Sequence, residues 1–456
     1  MQGPRPGRLQ RLRPPWNSSE SCGGRWTNDA GGQTFNSPSR ISFRPDEPID
    51  HSVFPFTPKP KQSRYNRTVT SLQQTFDRSL EILFELIRIE SVNPTLVSGG
   101  AGEQAIAEHL SGLLKSEGIP SELQPVAPGR FNVLAAVQGS GPGPRVLLNG
   151  HLDTVSIAGM NRPLVPVLRE GRVYGRGAQD MKGGLAAAVA ALLALSRNKE
   201  DWKGEVVLAA VADEEDLSLG TTCFLEHWPR DRPFDFALVL EPTDLQVATA
   251  HKGFAWVEVT TYGKAAHGSR PADGLDAIRL MGRVLGHLDR LDRDLQSHPH
   301  HRLLGSGSLH ASLIEGGRQW SSYPDRCRLK YERRTVPPET RETVETEFRR
   351  ILQTCRDQDS RFRGDAALVC AREPFETDPE QAVLKHFCRT ARSQCPGHVC
   401  WGSVSFWTDA ALLAAADIPT LVFGPRGAGL HSLEEYVVAE DLGDCAEIIY
   451  RFVTRA

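Results

Sequence analysis

The 456-residue sequence predicts an α/β protein: a central mixed β-sheet flanked by helices, with a smaller α+β unit inserted into it. Three observations lead there. Apolar runs of strand length at 145–149, 205–212 and 236–240 read as strands buried on both faces. An Ala/Leu-rich run at 185–195 has the length of a core helix and lies between the first two. From His251 the pattern changes to strand 253–261, helix 274–291, strands 308–315 and 326–333, helix 339–355 and strand 365–372. That β-α-β-β-α-β order is the one of a ferredoxin-like unit.

Each remaining element follows from local chemistry. A helix is expected over 72–89, with Leu80, Leu83, Leu86 and Ile87 on one face, Ser71 as N-cap and Gln74 completing a capping box. Glu90-Ser91-Val92-Asn93-Pro94 ends it. A second helix, 103–117, stops at Gly118. Strands 130–137 and 145–149 are joined by Gly139-Ser140-Gly141-Pro142-Gly143. No Lys-Ser/Thr and no helix follow that cluster, so a hairpin is expected in place of a phosphate loop. After the insert, a helix at 381–393 resumes the first unit. The expected division is a basic, Pro-rich extension over 1–70, a main domain from 71–249 and 374–456, and an insert over 250–373.

Composition narrows the function classes. Apolar content of 39%, charged content of 24% and a net charge of −3 are ordinary for a soluble protein and give no general attraction to nucleic acid. No stretch of 18 uncharged apolar residues occurs, so no membrane span is expected. The nine cysteines form no dense framework, and Cys395-x4-Cys400 has no matching second pair. Reduced thiols and a cytoplasmic location are expected. Residues 1–70 carry 11 Lys/Arg against 5 Asp/Glu, hold ten prolines and show no periodicity, the signature of a disordered segment. They lack the apolar core of a secretory signal, so the Asn17-Ser18-Ser19 and Asn66-Arg67-Thr68 patterns carry little meaning.

The chemistry-bearing residues fall at strand and loop ends, where α/β proteins build their sites. His151 and Asp153 follow the strand that ends in Asn149-Gly150. In extended chain, i and i+2 point the same way, so a carboxylate stands beside an imidazole and can hold its metal-binding tautomer. Asp180 lies in the glycine-rich run Gly175-Arg176-Gly177-Ala178-Gln179-Asp180-Met181-Lys182-Gly183-Gly184. Asp213-Glu214-Glu215-Asp216 closes one strand, Glu241-Pro242-Thr243 another, and His431 follows Gly424–Gly429 near the C-terminus. His151, Asp180, Glu215, Glu241 and His431 make five ligand-type side chains suited to zinc-like ions. With one carboxylate bridging, two ions roughly 3.5–4 Å apart would each have three protein ligands and an open position. Glu214 then remains free as a general base.

Taken in order, His151-Leu152-Asp153-Thr154-Val155, Gly175-Arg176-Gly177 with Asp180-Met181-Lys182-Gly183-Gly184, Glu214-Glu215, Glu241-Pro242 and His431 resemble the superfamily of acetylornithine deacetylase, succinyl-diaminopimelate desuccinylase, aminoacylase and carboxypeptidase G. The likeness runs from about Ser71 to the C-terminus. It implies a metallopeptidase-type catalytic domain with an inserted lid that carries a dimer contact. It also implies a site in which His151 and Glu241 hold one ion, Glu215 and His431 the other, and Asp180 both. Asp153 would orient His151, Glu214 would activate water, and a cis peptide bond would follow Asp180. Glu241 stands where the dipeptidase branches more often carry Asp, which favours the deacylase and carboxypeptidase branches.

Two features of the insert gain roles from the same resemblance. His267, in Gly263-Lys264-Ala265-Ala266-His267-Gly268, would reach a neighbouring subunit's site and stabilise an oxyanion. Glu332-Arg333-Arg334-Thr335-Val336-Pro337 matches a signature whose arginine clamps a substrate carboxylate; the register favours Arg334, with Glu332 where relatives often have Asp. Adjacent residues of a strand face opposite ways, so either Arg333 or Arg334 faces the cleft. The resulting expectation is a homodimeric amidohydrolase acting on N-acyl amino acids or short peptides. Its two divalent ions are expected to be Zn2+, with Co2+ or Mn2+ as alternatives, and no nucleic-acid or membrane partner is expected. Desuccinylase and metallo-carboxypeptidase or dipeptidase activities are the alternatives. A metal-stabilised binding protein without turnover is the non-enzyme reading, and it leaves Glu214 unexplained.

Overall fold

The structure, a computed structural model, describes residues 69–229, 231–397 and 401–455. Residues 1–68 of the basic extension, the two glycosylation patterns and Cys400 lie outside the described residues, and Val69 and Thr70, expected to belong to the extension, already open the first helix.

The large sheet comprises β1 (Ser121–Ala127), β2 (Arg130–Gln138), β3 (Arg145–His151), β4 (Glu205–Val211), β5 (Phe236–Val239) and β6 (Val247–His251). The insert then contributes β7 (Gly253–Tyr262), β8 (Ser308–Gly316), β9 (Arg326–Thr335) and β10 (Gly364–Arg372), before β11 (Phe375–Glu376), β12 (Trp401–Val404) and β13 (Thr420–Val422) complete the large sheet. Its order is β1-β2-β4-β3-β5-β13-β6-β11, with β12 beside β6. Strands β4, β3, β5 and β13 run parallel to one another; β1 with β2, β2 with β4, β13 with β6 and β6 with β11 are antiparallel, and β12 runs parallel to β6. Parallel neighbours end at the same edge, so the segments after β3, β4 and β5 meet there.

The centre of this sheet is apolar on both faces. Residues Val206–Val211 and Phe236–Val239 are all buried. On one side pack the helices Val69–Ile87, Gly183–Arg197 and Ala439–Thr454, which contribute Leu83, Leu86, Val189, Leu192, Ile448 and Ile449 to one core. The middle helix is apolar all round, as a helix enclosed by sheet and neighbours must be. Ala178–Arg197 is the one segment among the described residues long and apolar enough to cross a bilayer, and 89% of its most apolar stretch is buried in this core. The helices Leu219–His227 and Ala410–Ala415 pack on the opposite face around Phe224, Val239 and Leu413.

The insert has the expected element order, with helices Ala277–Ser297 and Arg341–Gln358 on one face of an antiparallel sheet ordered β8-β9-β7-β10. Ala255, Val257 and Val259 of β7 point to the helices. Phe254 and Trp256 therefore lie on the open face. The chain crosses from one sheet to the other at Lys252-Gly253. A Cβ on Gly253 would sit 2.4 Å from the Arg372 carbonyl oxygen, so only glycine fits the crossing.

Three local expectations need correction. The glycine cluster at 139–143 is not a hairpin: β2 and β3 do not pair, because β4 lies between them. The glycines instead let this loop press on the segment entering β4; a Cβ on Gly139 would meet the Trp202 carbonyl oxygen at 2.6 Å, and Gly204 N donates to Gly141 O (2.8 Å). Ser71 is not an N-cap, since the first helix begins at Val69. Nothing between Val69 and Leu72 breaks a helix, so it propagates past the capping signal. The helix expected from Gly274 begins at Ala277, where the Asp276 side chain accepts from Arg279 N (3.0 Å).

Candidate metal centre

His151 is the last residue of β3, in register with Val211 at the end of β4, and Glu241 lies two residues beyond β5. Asp180 sits in the turn that enters the buried helix Gly183–Arg197, where the Asp180–Met181 peptide bond is cis. His431, with φ of 58°, lies in the loop between the short strands Gly427–Ala428 and Tyr436–Val438. The fold thus gathers five segments distant in sequence.

Asp180 is at the centre. Its Oδ1 lies 3.1 Å from His151 Nε2 and its Oδ2 3.2 Å from His431 Nε2. On the first side Glu241 Oε1 is 3.6 Å and Glu214 Oε2 4.0 Å from His151 Nε2. On the second, Glu215 Oε2 is 3.1 Å from His431 Nε2. Two groups with spacing suited to a metal ion result, His151 with Glu214 and Glu241, and His151 with Asp180 and Glu215. His151 and Glu241 are buried, Asp180, Glu214 and Glu215 are partly buried, and the His431 side chain is 56% exposed and marks the open side.

Nδ1 of His151 donates to the main-chain carbonyl of Asp153 (2.9 Å), and the Asp153 carboxylate stands farther off, at 3.6 Å. A carbonyl only accepts, so Nδ1 carries a proton and Nε2 is the atom aimed at the carboxylates. The Asp153 carboxylate has a second task. It accepts from Glu214 N (3.2 Å), Glu215 N (3.3 Å) and Asn93 Nδ2 (2.8 Å), which ties the acidic loop to the end of β3.

The electrostatics record crowded negative charge. Burial, then the charge of Glu241, pushes Glu214 well above the usual carboxylate range; burial, then Asp180, does the same to Glu241. Burial raises Asp153 to about 7. Burial opposes a charged His151, but the Asp180 hydrogen bond and the carboxylates of Glu241, Asp153 and Glu214 outweigh it and raise its pKa well above that of free imidazole. Hydrogen bonds to Asp180 and Glu215 lift His431 to about 10. Burial also opposes the Asp180 carboxylate, yet the two histidines hold it below the ordinary range.

The two insert residues stand apart from this cluster. His267 is exposed, its Nδ1 2.7 Å from Ser269 Oγ, and among the described residues no bond or ion pair joins it to the centre. Arg333 is buried on the helix side, paired with Glu339 and with Glu347 (3.1 Å). Arg334 therefore holds the open face. Its Nε donates to Glu332 Oε1 (2.6 Å), its guanidinium lies 5.4 Å from the Phe254 ring centroid, and Trp256 Nε1 donates to Glu332 Oε2 (2.8 Å). This face adjoins the acidic loop, because Arg372, opposite Phe254 in register, donates to Leu217 O.

Several supporting residues escaped the sequence reading. Asp213 is fully buried and pairs with Arg130 (2.6 Å), which also grips Glu103; Asn93 Nδ2 bridges Asp153 and Asp213, at 2.8 and 3.0 Å. Asp409 is fully buried and accepts from Thr221 Oγ1 (2.6 Å), and Glu435 is buried beside the Asp180 turn. Asn93-Pro94 offered only a helix stop and Arg130 only a strand start. Asp213 had a signal, its place in the acidic run, but nothing in that run separates a buried structural acid from a free one.

Fold and site together define a metal-dependent hydrolase whose main α/β domain carries an inserted α+β domain. The chain belongs to Peptidase family M20/M25/M40, whose family model matches residues 147–455. It is 31% identical to an acetylornithine deacetylase of Myxococcus xanthus over 71% of this chain and 83% of that protein. It is 26% identical to an N-formyl-4-amino-5-aminomethyl-2-methylpyrimidine deformylase of Bacillus subtilis, over 85% of this chain and 97% of the other. Among solved structures it shares its fold with a Bacillus subtilis protein described as a dinuclear metal binding peptidase (TM-score 0.65, 15% identity, 84% of this chain and 98% of that one).

Proposed function

We propose that the protein is a two-metal amidohydrolase that removes the acyl group from an N-acyl amino acid, in the manner of an acetylornithine deacetylase. The observation that carries the reading is Asp180, whose two oxygens each face a different histidine at 3.1 and 3.2 Å. The donor set suits divalent ions. Imidazole nitrogens and carboxylate oxygens are donors for zinc, cobalt or manganese, and the burial and neighbouring carboxylate charge that raise Glu214 and Glu241 are a load that cations relieve. His151 with Glu241 would hold one ion and His431 with Glu215 the other, Asp180 serving both. Zinc is the expected metal.

When bound, the ions supply Lewis acidity to the scissile carbonyl and to the attacking water. The chain's own residues do the rest. Glu214, whose main-chain N–H is held by Asp153, takes a proton from the attacking water at its carboxylate and returns it to the leaving amine. Asp153 fixes the acidic loop that carries this base. Arg334, its Nε anchored by Glu332, presents the rest of its guanidinium to the substrate's free carboxylate. His267 acts in the site of a second subunit, donating to the oxyanion. Residues 71–249 and 374–456 form the catalytic domain and 250–373 the lid and dimer contact. Support for a homodimer comes from Leu313 and Ile314, 59% and 54% exposed on β8 at the edge of the insert's sheet. Among the described residues Cys223, Cys327, Cys355, Cys370, Cys388, Cys395 and Cys445 are not joined in disulfides, which suits a reducing cytoplasm.

The test is metal content by elemental analysis, with hydrolysis of a panel of N-acyl amino acids and dipeptides before chelation, after it, and after each metal is restored. Metal-dependent release of the free amino acid from N-acetylornithine or a close analogue is expected. A fully loaded dimer that cleaves nothing in the panel would sink the reading.

A further inference from the structure

Glu435 enters neither the sequence motifs nor the mechanism above, yet its carboxylate is enclosed and fully engaged. The residue is 1% exposed. Oε2 accepts from Arg176 Nη1 (2.7 Å) and Gly177 N (3.0 Å); Oε1 accepts from Gln179 N (2.8 Å) and Asp180 N (3.0 Å). Its main-chain carbonyl accepts from Gly175 N (3.2 Å). One carboxylate thus gathers three main-chain amides of the turn that presents Asp180, including the amide of Asp180 itself.

Its position in the chain adds a second constraint. Glu435 lies four residues after His431, whose imidazole faces Asp180 Oδ2. Arg176 closes the frame by donating to Ser432 O (2.9 Å) and Ser156 O (2.8 Å). The loop 431–435 therefore grips the turn 175–180 at two places: the Asp180 side chain through His431 and its backbone through Glu435.

We propose that Glu435 is a positioning residue that sets the orientation of the Asp180 carboxylate between the two ion positions. This rests on the reading of Asp180 as a shared ligand. A main-chain amide fixed at both ends of the turn leaves the Asp180 side chain few rotamers, so its two oxygens stay divided between the two histidines. Glutamine has nearly the same shape but one acceptor oxygen. Its NH2 group would confront N–H donors, leaving buried amides without a partner.

The experiment compares wild type, Glu435→Gln, Glu435→Asp and Asp180→Asn. Each is stripped of metal, checked for folding by circular dichroism and melting, titrated with Zn2+ by calorimetry, and loaded with Co2+ for visible absorption. Glu435→Gln is expected to fold, to bind metal about 10- to 100-fold more weakly, as loss of outer-shell support does, and to show an altered Co2+ spectrum. Glu435→Asp, which keeps the charge with a shorter reach, is expected to recover part of the affinity. A Glu435→Gln protein, or Glu435→Asp if the first does not fold, with wild-type affinity and spectrum overturns the proposal, even if it melts lower. Asp180→Asn separates the two failures: if it also binds normally, the ligand reading of Asp180 is what fails.

Discussion

Glu214→Gln isolates the proposed base from the proposed ligands. The amide fills the space of the carboxylate, and the Glu214 main-chain bond to Asp153 is untouched. What disappears is the proton acceptor, whose Oε2 lies 4.0 Å from His151 Nε2 at the edge of the cluster. A general base contributes on the order of 10²–10⁴ in rate. At ~1.36 kcal/mol per factor of ten, the barrier should rise by about 2.7–5.4 kcal/mol. The charge change predicts a second, opposite effect. Burial and Glu241 raise the Glu214 pKa, so near neutral pH the folded chain binds more protons there than the unfolded one. Stability of the chelated wild type therefore falls as pH rises above the unfolded carboxylate pKa. Glu214→Gln removes that cost, so the chelated variant should melt no lower than wild type at pH 7–8, and the difference should close below the carboxylate range. The assay is kcat on the best N-acyl amino acid, with ion stoichiometry on the same samples and melting curves after chelation. A variant that retains both ions and turns over within ten-fold of wild type would exclude Glu214 as the base.

Glu215→Gln should reverse the pattern, losing metal before turnover per bound ion, as ion titration would show. If His267 serves a partner's site, His267→Ala and Glu214→Gln proteins, each inactive alone, should recover part of the activity after subunit exchange; no recovery after demonstrated exchange counts against a shared site. Arg334→Lys should lower kcat/KM for substrates with a free α-carboxylate and hardly affect their amides, because lysine keeps the charge without the planar fork; equal losses would assign Arg334 to the lid's packing. His251 is fully buried, and burial lowers its pKa to about 4. Between that value and the ordinary ~6.5, the unfolded chain binds the extra proton, so stability should fall by ~2 kcal/mol from pH 7 to pH 5. His251→Gln should flatten that part of the denaturant-measured profile, and an unchanged slope would show that the imidazole titrates normally.

The readable part of this chain is where chemistry and local geometry coincide. His151, Glu215 and Glu241 follow short apolar runs, and a strand buried on both faces can be recognised from its own residues. The six-element insert was legible for a similar reason: its helices and strands are long, and each carries its own period. The hairpin expectation failed at 139–143 because strand pairing is a non-local choice. The residues of β4, some sixty positions later, pair with both β2 and β3 and separate them. The choice between Arg333 and Arg334 was likewise open, since alternation says that they diverge but not which side the helices cover.

The sequence by itself determined the order of the elements and the placing of His151, Asp180, Glu215, Glu241 and His431, with Glu214 beside Glu215, at strand and loop ends, because residue type and strand ends are properties of the local chain. Tertiary structure alone decided which donors face one another. The parallel order β4-β3-β5 brings three strand ends to one edge, and Asp180 and His431 arrive from loops that are 251 positions apart. It also decided that Asp153 braces the acidic loop through its carboxylate and that Glu435 closes on the Asp180 turn. Those contacts join residues far apart in sequence, and they exist only once burial of the sheet has fixed the distances between segments.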